Sequence, residues 1–273
     1  MCKHLRVTPG GFYSWQARKP SQRDLDDAVL SQRIQDIHAA SRGIYGSPRI
    51  MHSLRQQGHA VGQRRVARLM RGARVQGRSA RLYRRSRVKQ RAFFKSIPNH
   101  QRHIEPVRVD QVWVGDVTYL KVNDRWRYLA VVMDKYSRRI LGWSLSSQRD
   151  AALTATALNH ALRKRRPAPG LFLHTDRGIE YAALNYRAAL AKHGLIQSMN
   201  RPRQMNDNAH MESFFHSLKT EYLYGMRFDT DAQLRQTLLS YLQFYNHARL
   251  HSSLDHLSPA TFEQVQTYQS CVN

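Results

Sequence analysis

The spacing of two acidic residues, Asp176 and Glu212, constrains the fold of this chain more than any other feature. Thirty-five residues separate them. Asp176 ends the apolar run 171–176, which glycines flank on both sides and which predicts a short buried strand with a carboxylate at its tip. Glu212 lies in a stretch with helical periodicity. The spacing therefore predicts a fold in which a strand end and a later helix carry acids to one place.

The predicted helix around Glu212 covers residues 206–219. Its buried stripe is formed by residues that recur at helical spacing: Met211, Phe215, Leu218 and Tyr222. Glu212, His216 and Lys219 follow one another at intervals of four and three residues. They share a neighbouring face of the helix, which can border a cleft.

A third acid, Asp116, interrupts the apolar stretch 112–122, which predicts a strand. A charge inside so apolar a strand must be paired, bind a metal or face a site. Taken alone, each acid also has an ordinary interpretation: Asp176 as the cap of the turn after it, Asp116 as the partner of an arginine, and Glu212 as a surface residue. Two aspartates on strands and a glutamate on a helix, in a strongly basic chain, favour the joint interpretation.

Three converging carboxylates would repel one another by about 4 kcal/mol for each close pair. Divalent cations relieve such repulsion, and Mg²⁺ prefers a few carboxylates together with phosphate oxygens of a substrate. Two ions about 4 Å apart can activate an attacking hydroxyl and stabilise the leaving oxygen in a displacement at phosphorus. The acids therefore predict metal-dependent phosphoryl transfer.

The charge of the chain points to nucleic acid as a partner. The formal net charge is +25, with 44 Lys and Arg against 19 Asp and Glu, and residues 37–104 hold 17 of these basic residues and no acid. A field of this kind favours nucleic acid over its competitor, an anionic membrane surface. No apolar run is long enough for a membrane span or a signal peptide, and the two cysteines lie near opposite ends. We therefore expect a cytoplasmic protein without a structural disulfide or zinc site.

Before the catalytic region, the pattern indicates a small helical DNA-binding module. Thr8-Pro9-Gly10-Gly11 predicts a turn, with the nearby aromatic residues packed in a small core. Ser47 and Pro48 predict the start of one helix, and a second, arginine-rich helix follows a turn that contains glycine, as in a helix-turn-helix. The arginines predicted on its outer side are Arg64, Arg65, Arg68 and Arg71. We expect them to contact phosphates more than bases.

The order of the predicted elements from residue 108 onward is strand, strand, strand, helix, strand, helix, strand, helix, which predicts a mixed α/β sheet with helices on both faces. Two further acids, Glu180 and Glu221, are expected to be exposed. The predicted domains are a helical segment (1–40), a helix-turn-helix-like module (41–75), a basic linker that orders on DNA (76–107), a catalytic core (108–230) and a helical extension (231–273).

Several short segments of the sequence resemble those of one known family, and they are spread over nearly the whole chain. They are YGSPRI at 45–50, RVARLM at 65–70, WVGDVTY at 113–119, SRRILGW at 137–143, HTDRG at 174–178, DNAHMESFF at 207–215, LKTE at 218–221, FYNHARLHS at 244–252 and LSP at 257–259. These segments resemble a transposase of bacterial insertion sequences, from the insertion-sequence family that is numbered three. The part that the chain resembles is the product of the second reading frame. That family is a branch of the retroviral-integrase-like superfamily.

The resemblance implies an RNase H-like core with a five-stranded mixed sheet. Asp116, Asp176 and Glu212 are then the ligands of two Mg²⁺ ions, for which Mn²⁺ would substitute, and Lys219 touches DNA beside them. The loop 201–204 lacks the glycine that is common in the family, and its Arg201 and Arg203 suit DNA. The residues expected to support the acids from neighbouring positions are His174, Asn208 and His216.

The implied reaction is strand cleavage to a 3′-hydroxyl, which then attacks another phosphodiester. The implied partners are double-stranded DNA at the element ends and the target, further copies of the chain, and a first-frame product or a frameshift fusion with it. Two other functions stay open from the sequence. One is a metal-dependent nuclease that only hydrolyses, and the other is a DNA-binding regulator whose acids are structural.

Overall fold

The computed structural model describes residues 8–17, 19–77, 97–201 and 205–272. The described residues divide into two compact units, one within Met1–Arg78 and the other within Ser79–Asn273. Most of the predicted basic linker, including residues 78–96, lies outside the described residues. Within the parts that are described, the structure contains no helix that is both long and apolar enough to span a membrane.

The first unit is helical, with α1 at Pro9–Gln16, α2 at Gln22–Ala40, α3 at Ser47–Gln56 and α4 at Gln63–Gly72. A capping box between Ser21 and Asp24 starts α2. The helices α2, α3 and α4 pack on one another through a small apolar core that includes Leu30, Ile34, Ile50, Leu54 and Val66. The predicted pair of short helices is thus present.

Three local predictions in this unit are wrong. Thr8-Pro9-Gly10-Gly11 is the start of α1 and not a turn, because the Thr8 hydroxyl accepts a hydrogen bond from the Gly11 amide and caps the helix. The aromatic residues of α1 do not form a core, since Tyr13 and Trp15 are largely exposed. In α3 the N-cap is Gly46, one residue before the predicted Ser47.

The second unit is built on a five-stranded sheet in the order β3-β2-β1-β4-β5. The strands are β1 (Val112–Val122), β2 (Arg125–Asp134), β3 (Ile140–Ser146), β4 (Phe172–Thr175) and β5 (Ile196–Met199). The first three pair antiparallel, while β4 runs parallel to both β1 and β5. This arrangement confirms the predicted mixed sheet and places the C-terminal end of β4 beside the middle of β1.

Helices cover both faces of the sheet. They are α5 (Ala151–Arg165), α6 (Ile179–Ala182), α7 (Leu184–Lys192), α8 (Ala209–Ser217), α9 (Asp231–His247) and α10 (Pro259–Val272), with 3₁₀ turns at His100–His103, Met205–Asn208 and Ser252–Leu254 and a π-helical turn at Leu218–Leu223. One apolar core joins Trp113 and Leu173 to α5 and α7. The other joins Val114 and Leu120 to α8 and α9. Successive residues of β1 thus face opposite cores, as strand geometry requires.

Two details show how sequence determines these contacts. A Cβ atom at Gly142 of β3 would lie 2.1 Å from the Ala157 carbonyl oxygen, so only glycine allows α5 to approach the sheet this closely. The one helix predicted between the fourth and fifth strands is instead two, α6 and α7, which are divided at Ala183, whose backbone is extended with ψ of 140°. At this division, the backbone carbonyl oxygen of Tyr181 accepts a hydrogen bond from the side-chain amide of Gln197 (2.7 Å).

Candidate active site

The parallel register of β1 and β4 brings Asp116 and Asp176 together. Gly115 pairs with Thr175 in this register, so the next residue of each strand is an aspartate and the two are neighbours. Alternation along β1 puts Asp116 on the face of Val114 and Leu120, which is the face that α8 covers. Two of the three predicted acids therefore meet at one point of the sheet.

Each aspartate is held by a short backbone contact. An oxygen of Asp116 accepts from the Val117 amide at 2.7 Å, and an oxygen of Asp176 accepts from the Gly178 amide at 2.9 Å. The second bond shows that Asp176 does cap the turn after β4, as one interpretation of the sequence held. The other oxygen of each carboxylate remains available for further interactions.

Burial and neighbouring carboxylates dominate the electrostatics of the pair, and the Arg149 charge offsets them only in part. Burial raises the pKa of Asp116 well above its usual range, and the neighbouring Asp176 carboxylate raises it further. Burial likewise raises the pKa of Asp176, and the Glu180 carboxylate adds to the shift. Neighbouring carboxylates whose pKa values are raised by burial and by other acids are a common sign of a functional site.

Sequence reasoning missed an ion pair beside these aspartates. Glu180 is 2% exposed, so the expectation that it lies on the surface is wrong. Its Oε1 lies 2.7 Å from Nη2 of Arg149, and the same Nη2 is 3.9 Å from Asp176 Oδ2. The Glu180 carboxyl also folds against Gly178, where a Cβ would lie 2.6 Å from it. The only signal in the sequence is a glutamate four residues after a strand-end aspartate.

The helix α8 starts against the strand that carries Asp116. The Nδ2 atom of Asn208, the residue before the helix, donates to the Gly115 carbonyl oxygen at 3.0 Å. The Oδ1 atom of Asn208 is buried and has no hydrogen-bond partner among the residues that the structure describes. Glu212 is half-buried and lies four residues later, on the same side of the helix as Asn208. The third acid is thus one helical turn from a direct contact with β1.

The oxygen atoms at this place suit a hard divalent cation. In the described parts of the chain, no three His, Cys, Asp or Glu side chains are grouped closely enough to hold a metal ion. The two aspartates do form a partly buried pair whose pKa values are raised first by burial and then by neighbouring carboxylates, and Asn208 adds an amide oxygen without a partner among the described residues. Carboxylate and amide oxygens are ligands that Mg²⁺ and Ca²⁺ accept.

Lys219 lies beyond the end of α8, in the π-helical turn Leu218–Leu223. Its Nζ atom is 4.5 Å from the centre of the Tyr119 ring, and Tyr119 packs edge-on against Trp126. Tyr119 is on β1, three residues after Asp116. His216 is half-buried on the last turn of α8. The face predicted for Glu212, His216 and Lys219 is therefore continued by a π turn and not by a regular helix.

A buried ion pair holds the π turn. Glu221 is 8% exposed, so its predicted surface position is also wrong. Both of its oxygens bind Arg249, at 2.6 and 2.7 Å, and Arg249 also donates to the Ser217 hydroxyl at 3.2 Å. Bidentate contacts of this kind fix geometry as well as charge. The pair thereby ties the turn that carries Lys219 to the segment after α9.

Two further predicted residues have structural partners. His174 is fully buried between the Ser198 hydroxyl (2.8 Å) and the Asn200 side-chain oxygen (2.7 Å), and burial lowers its pKa to about 4, so it is neutral. Arg201 binds Asp207 at 2.9 Å, and this hydrogen bond lowers the pKa of Asp207 to about 2. Arg203 lies outside the described residues.

In the first unit, the four predicted arginines divide into two pairs. Arg65 and Arg68 both bind the Asp27 carboxylate of α2, and hydrogen bonds from Arg68 and then Arg65 lower its pKa. Arg64 and Arg71 are exposed. The first pair therefore joins α4 to α2, while the second pair extends from the surface of the unit.

Comparison with known proteins adds the following findings. Residues 106–205 and 193–259 match two family models described as an integrase core domain, and residues 24–83 match an HTH-like domain. The chain is 35% identical over 273 residues to the transposase InsF for insertion sequence IS3A of Escherichia coli (strain K12), covering 96% of this chain and 92% of that protein. It is 35% identical over 276 residues to an uncharacterised 31 kDa protein of insertion element IS600 of Shigella sonnei, covering 97% of each.

Among solved structures, an intasome of simian T-cell lymphotropic virus in complex with PP2A regulatory subunit B56 gamma contains a similar chain. The likeness has a TM-score of 0.50 and 16% identity, and it covers 84% of this chain and 74% of that one. It supports the expected retroviral-integrase-like, RNase H-like fold.

Proposed function

The chain belongs to the IS3 family of bacterial insertion-sequence transposases, and we propose that it cleaves and joins DNA strands by Mg²⁺-dependent phosphoryl transfer at Asp116, Asp176 and Glu212. In this reaction a 3′-hydroxyl oxygen forms a bond to phosphorus as the bond from phosphorus to the leaving oxygen breaks. The proton of the attacking hydroxyl passes to solvent or to a base, and no oxidant or other co-reactant is required.

The observation that carries this proposal is the partly buried aspartate pair at the junction of β1 and β4. The pairing of β1 with β4 ends at Gly115 and Thr175, one residue before each aspartate. Burial, together with neighbouring carboxylates, raises the pKa values of both aspartates. The start of α8 is bonded to Gly115, next to Asp116, so Glu212 comes from a helix that begins beside the pair. This arrangement supports the triad and not three unrelated acids.

In the proposed site, the carboxylates of the triad hold two Mg²⁺ ions, and the Asn208 Oδ1 oxygen is available beside them. Bound Mg²⁺ would supply the positive charge that activates an attacking hydroxyl and stabilises a leaving oxygen. Mn²⁺ is expected to substitute because it accepts the same oxygen ligands. The chain's own contribution is to fix the carboxylates: Gly178 and Val117 orient the aspartates, and the Glu221–Arg249 pair fixes the turn after α8.

The proposed substrate is double-stranded DNA, at the ends of the element and at the target. Lys219, held against the Tyr119 ring, is suited to contact a phosphate next to the site. The exposed Arg64 and Arg71 are suited to contact the DNA backbone from the helix-turn-helix-like unit. Because two element ends must be joined, the working form is proposed to be an oligomer on DNA. A first-frame product, or a fusion with it, is the proposed partner for recognition of the ends.

The test is a strand-joining assay with a labelled element end and Mg²⁺, comparing the natural chain with its Glu212→Gln, Asp116→Asn and Asp176→Asn variants. We expect joined product from the natural chain and none from the variants, with DNA affinity largely unchanged. Asp229→Asn, which changes an exposed acid to its amide, is the matched control and should join DNA normally.

Other results would assign other functions. Cleavage without joining would indicate a nuclease, and DNA binding without chemistry in the natural chain would indicate a regulator. Joining by all three acid variants would contradict the proposed triad.

A further inference from the structure

A polar cavity that none of the three acids lines lies in the second unit. It has a volume of about 560 Å³, within the range of pockets that hold small ligands. The turn after β2, the first turn of α8, the segment before β1 and the C-terminal region all contribute to its walls. The side chains that determine its charge are Arg102, Glu105, Lys135 and Arg138, while His210 also lines it and has a pKa that burial lowers to about 4.

Arg138 is held in this cavity by an unusual backbone conformation. Its φ of 61° lies in the left-handed region, which residues other than glycine and asparagine seldom adopt. The turn is fixed by Asp134, whose Oδ1 accepts from the amides of Tyr136 (3.0 Å) and Ser137 (2.8 Å). The Nη1 atom of Arg138 is buried and has no hydrogen-bond partner in the described part of the chain. Strain combined with an unsatisfied guanidinium nitrogen suggests a ligand.

Lys135 supplies a second cation at the same wall. Its ammonium donates to the Ile104 carbonyl oxygen at 3.3 Å, which uses one of its three hydrogens. Burial lowers the pKa of Lys135, and the Arg138 charge lowers it further, against a smaller opposing effect of Glu105. Glu105 and Arg102 are exposed at the rim. The three cations of the cavity, Arg102, Lys135 and Arg138, therefore outnumber the two acids that act on this wall, Glu105 and Asp134 behind Arg138.

We propose that this cavity binds a phosphate group, and that in the working enzyme this is a backbone phosphate of bound DNA. A guanidinium with a free donor and an ammonium beside it match the donors that recognise phosphate oxygens. The cavity adjoins the first turn of α8, through His210, so a strand held here would pass close to the helix that carries Glu212. The DNA source rests on the proposed function, while the phosphate chemistry does not.

The experiment uses the full chain and two readouts that require no catalysis. Inorganic phosphate is titrated while the melting temperature is followed, and binding to a short DNA duplex is measured in EDTA at several salt concentrations. The test variant is Arg138→Asn with Lys135→Gln, because asparagine tolerates the left-handed backbone. The control is Lys192→Gln on the exposed surface of α7. Circular dichroism and the melting temperature without ligand identify any variant that fails to fold, and single Lys135→Gln then replaces it.

We expect phosphate to raise the melting temperature of the natural chain and of the control but not of the test variant. The slope of log affinity against log salt should fall by about one in the test variant, the value for one lost phosphate contact. Phosphate protection that is lost with an unchanged DNA slope would overturn the DNA source and assign a free phosphate or nucleotide. Equal phosphate protection and equal slopes in test and control proteins would overturn the site, as would protection by polyglutamate alone, which would indicate an acidic peptide.

Discussion

Asn208 donates a hydrogen bond of 3.0 Å from its side-chain amide to the backbone carbonyl oxygen of Gly115. This bond joins the residue before α8 to the strand residue before Asp116, and so connects the two elements that carry Glu212 and Asp116. The separation of the two acids therefore depends on a contact that neither of them makes. An equivalent contact, between Asn246 of α9 and both backbone groups of Ile140 on β3, lies away from the acids.

We predict that Asn208→Ala lowers strand joining by about a hundredfold, because a small displacement of α8 misplaces Glu212. The lost buried hydrogen bond should also lower the free energy of unfolding by about 1–3 kcal/mol. Asn246→Ala removes two such bonds, so it should lose at least as much stability while it joins DNA nearly normally. Urea unfolding and the joining assay measure the two effects. Equal loss of joining in both variants would show that the Asn208 effect is only one of stability.

The second prediction concerns Arg149 and Glu180. Arg149→Leu leaves the Glu180 carboxylate, which is 2% exposed, without its cation. The free energy of unfolding should then fall by about 3 kcal/mol, the usual cost of breaking a buried pair from one side. The double variant with Glu180→Leu removes both charges and should recover most of that loss. Urea unfolding of the four proteins in the cycle gives the coupling energy.

The control for this cycle is Arg127→Leu, which breaks an ion pair with Asp231, whose side chain is 55% exposed. Its effect should stay within about 1 kcal/mol, since exposed pairs contribute little. A double variant at Arg149 and Glu180 that is no more stable than Arg149→Leu would contradict a dominant role for the unpaired charge.

The sequence predicted the five strands, most of the helices and the meeting of Asp116 with Asp176, while the roles of the site residues stay predictions. The β1 strand was predicted with both ends correct, because its apolar residues and its turn at Asn123-Asp124 mark it clearly, and both turn residues have the positive φ of a tight hairpin. The meeting of Asp116 and Asp176 followed from acids at corresponding places on two strands. Apolar periodicity and turn residues thus define where a residue lies along its own strand or helix.

Most of the contacts that sequence reasoning missed join distant parts of the chain. Glu180 and Glu221 looked exposed because their arginine partners, Arg149 and Arg249, are 31 and 28 residues away. The bond from Asn208 to Gly115 has a backbone carbonyl as acceptor, and every residue offers one, so no pattern indicates which is used. Charge patterning cannot distinguish an arginine that binds DNA from one that binds an acid of its own chain.

The third prediction follows from this last point. Arg64→Ala with Arg71→Ala should weaken DNA binding and lower the salt slope by up to about two, because both side chains are exposed. Arg65→Ala with Arg68→Ala should lower the thermal stability of the helical unit as well, because Asp27 loses both partners. Fluorescence anisotropy at several salt concentrations and thermal melting separate the two effects. Weaker binding in the second pair without any loss of stability would contradict a structural role for the Asp27 contacts.

The fourth prediction is a pH dependence that originates at Asp134. Burial raises the pKa of Asp134 from 3.8 to about 6, and the amides of Ser137 and Asp110 oppose the shift. Between these values the folded protein holds the proton more tightly than the unfolded chain does. The stabilising contribution is therefore fully present below pH 3.8 and is lost as the pH rises through about 6.

The change should amount to about 3 kcal/mol of unfolding free energy, from a shift of roughly two units. Asp134→Asn removes the titration, so the difference between the natural chain and this variant isolates it from every other group. Urea unfolding of both proteins between pH 4 and pH 7 measures that difference, and the natural chain should lose stability relative to the variant as the pH rises. A difference that stays constant, or that changes in the opposite direction, would show that the folded protein does not hold the Asp134 proton, because only a raised pKa gives this sign.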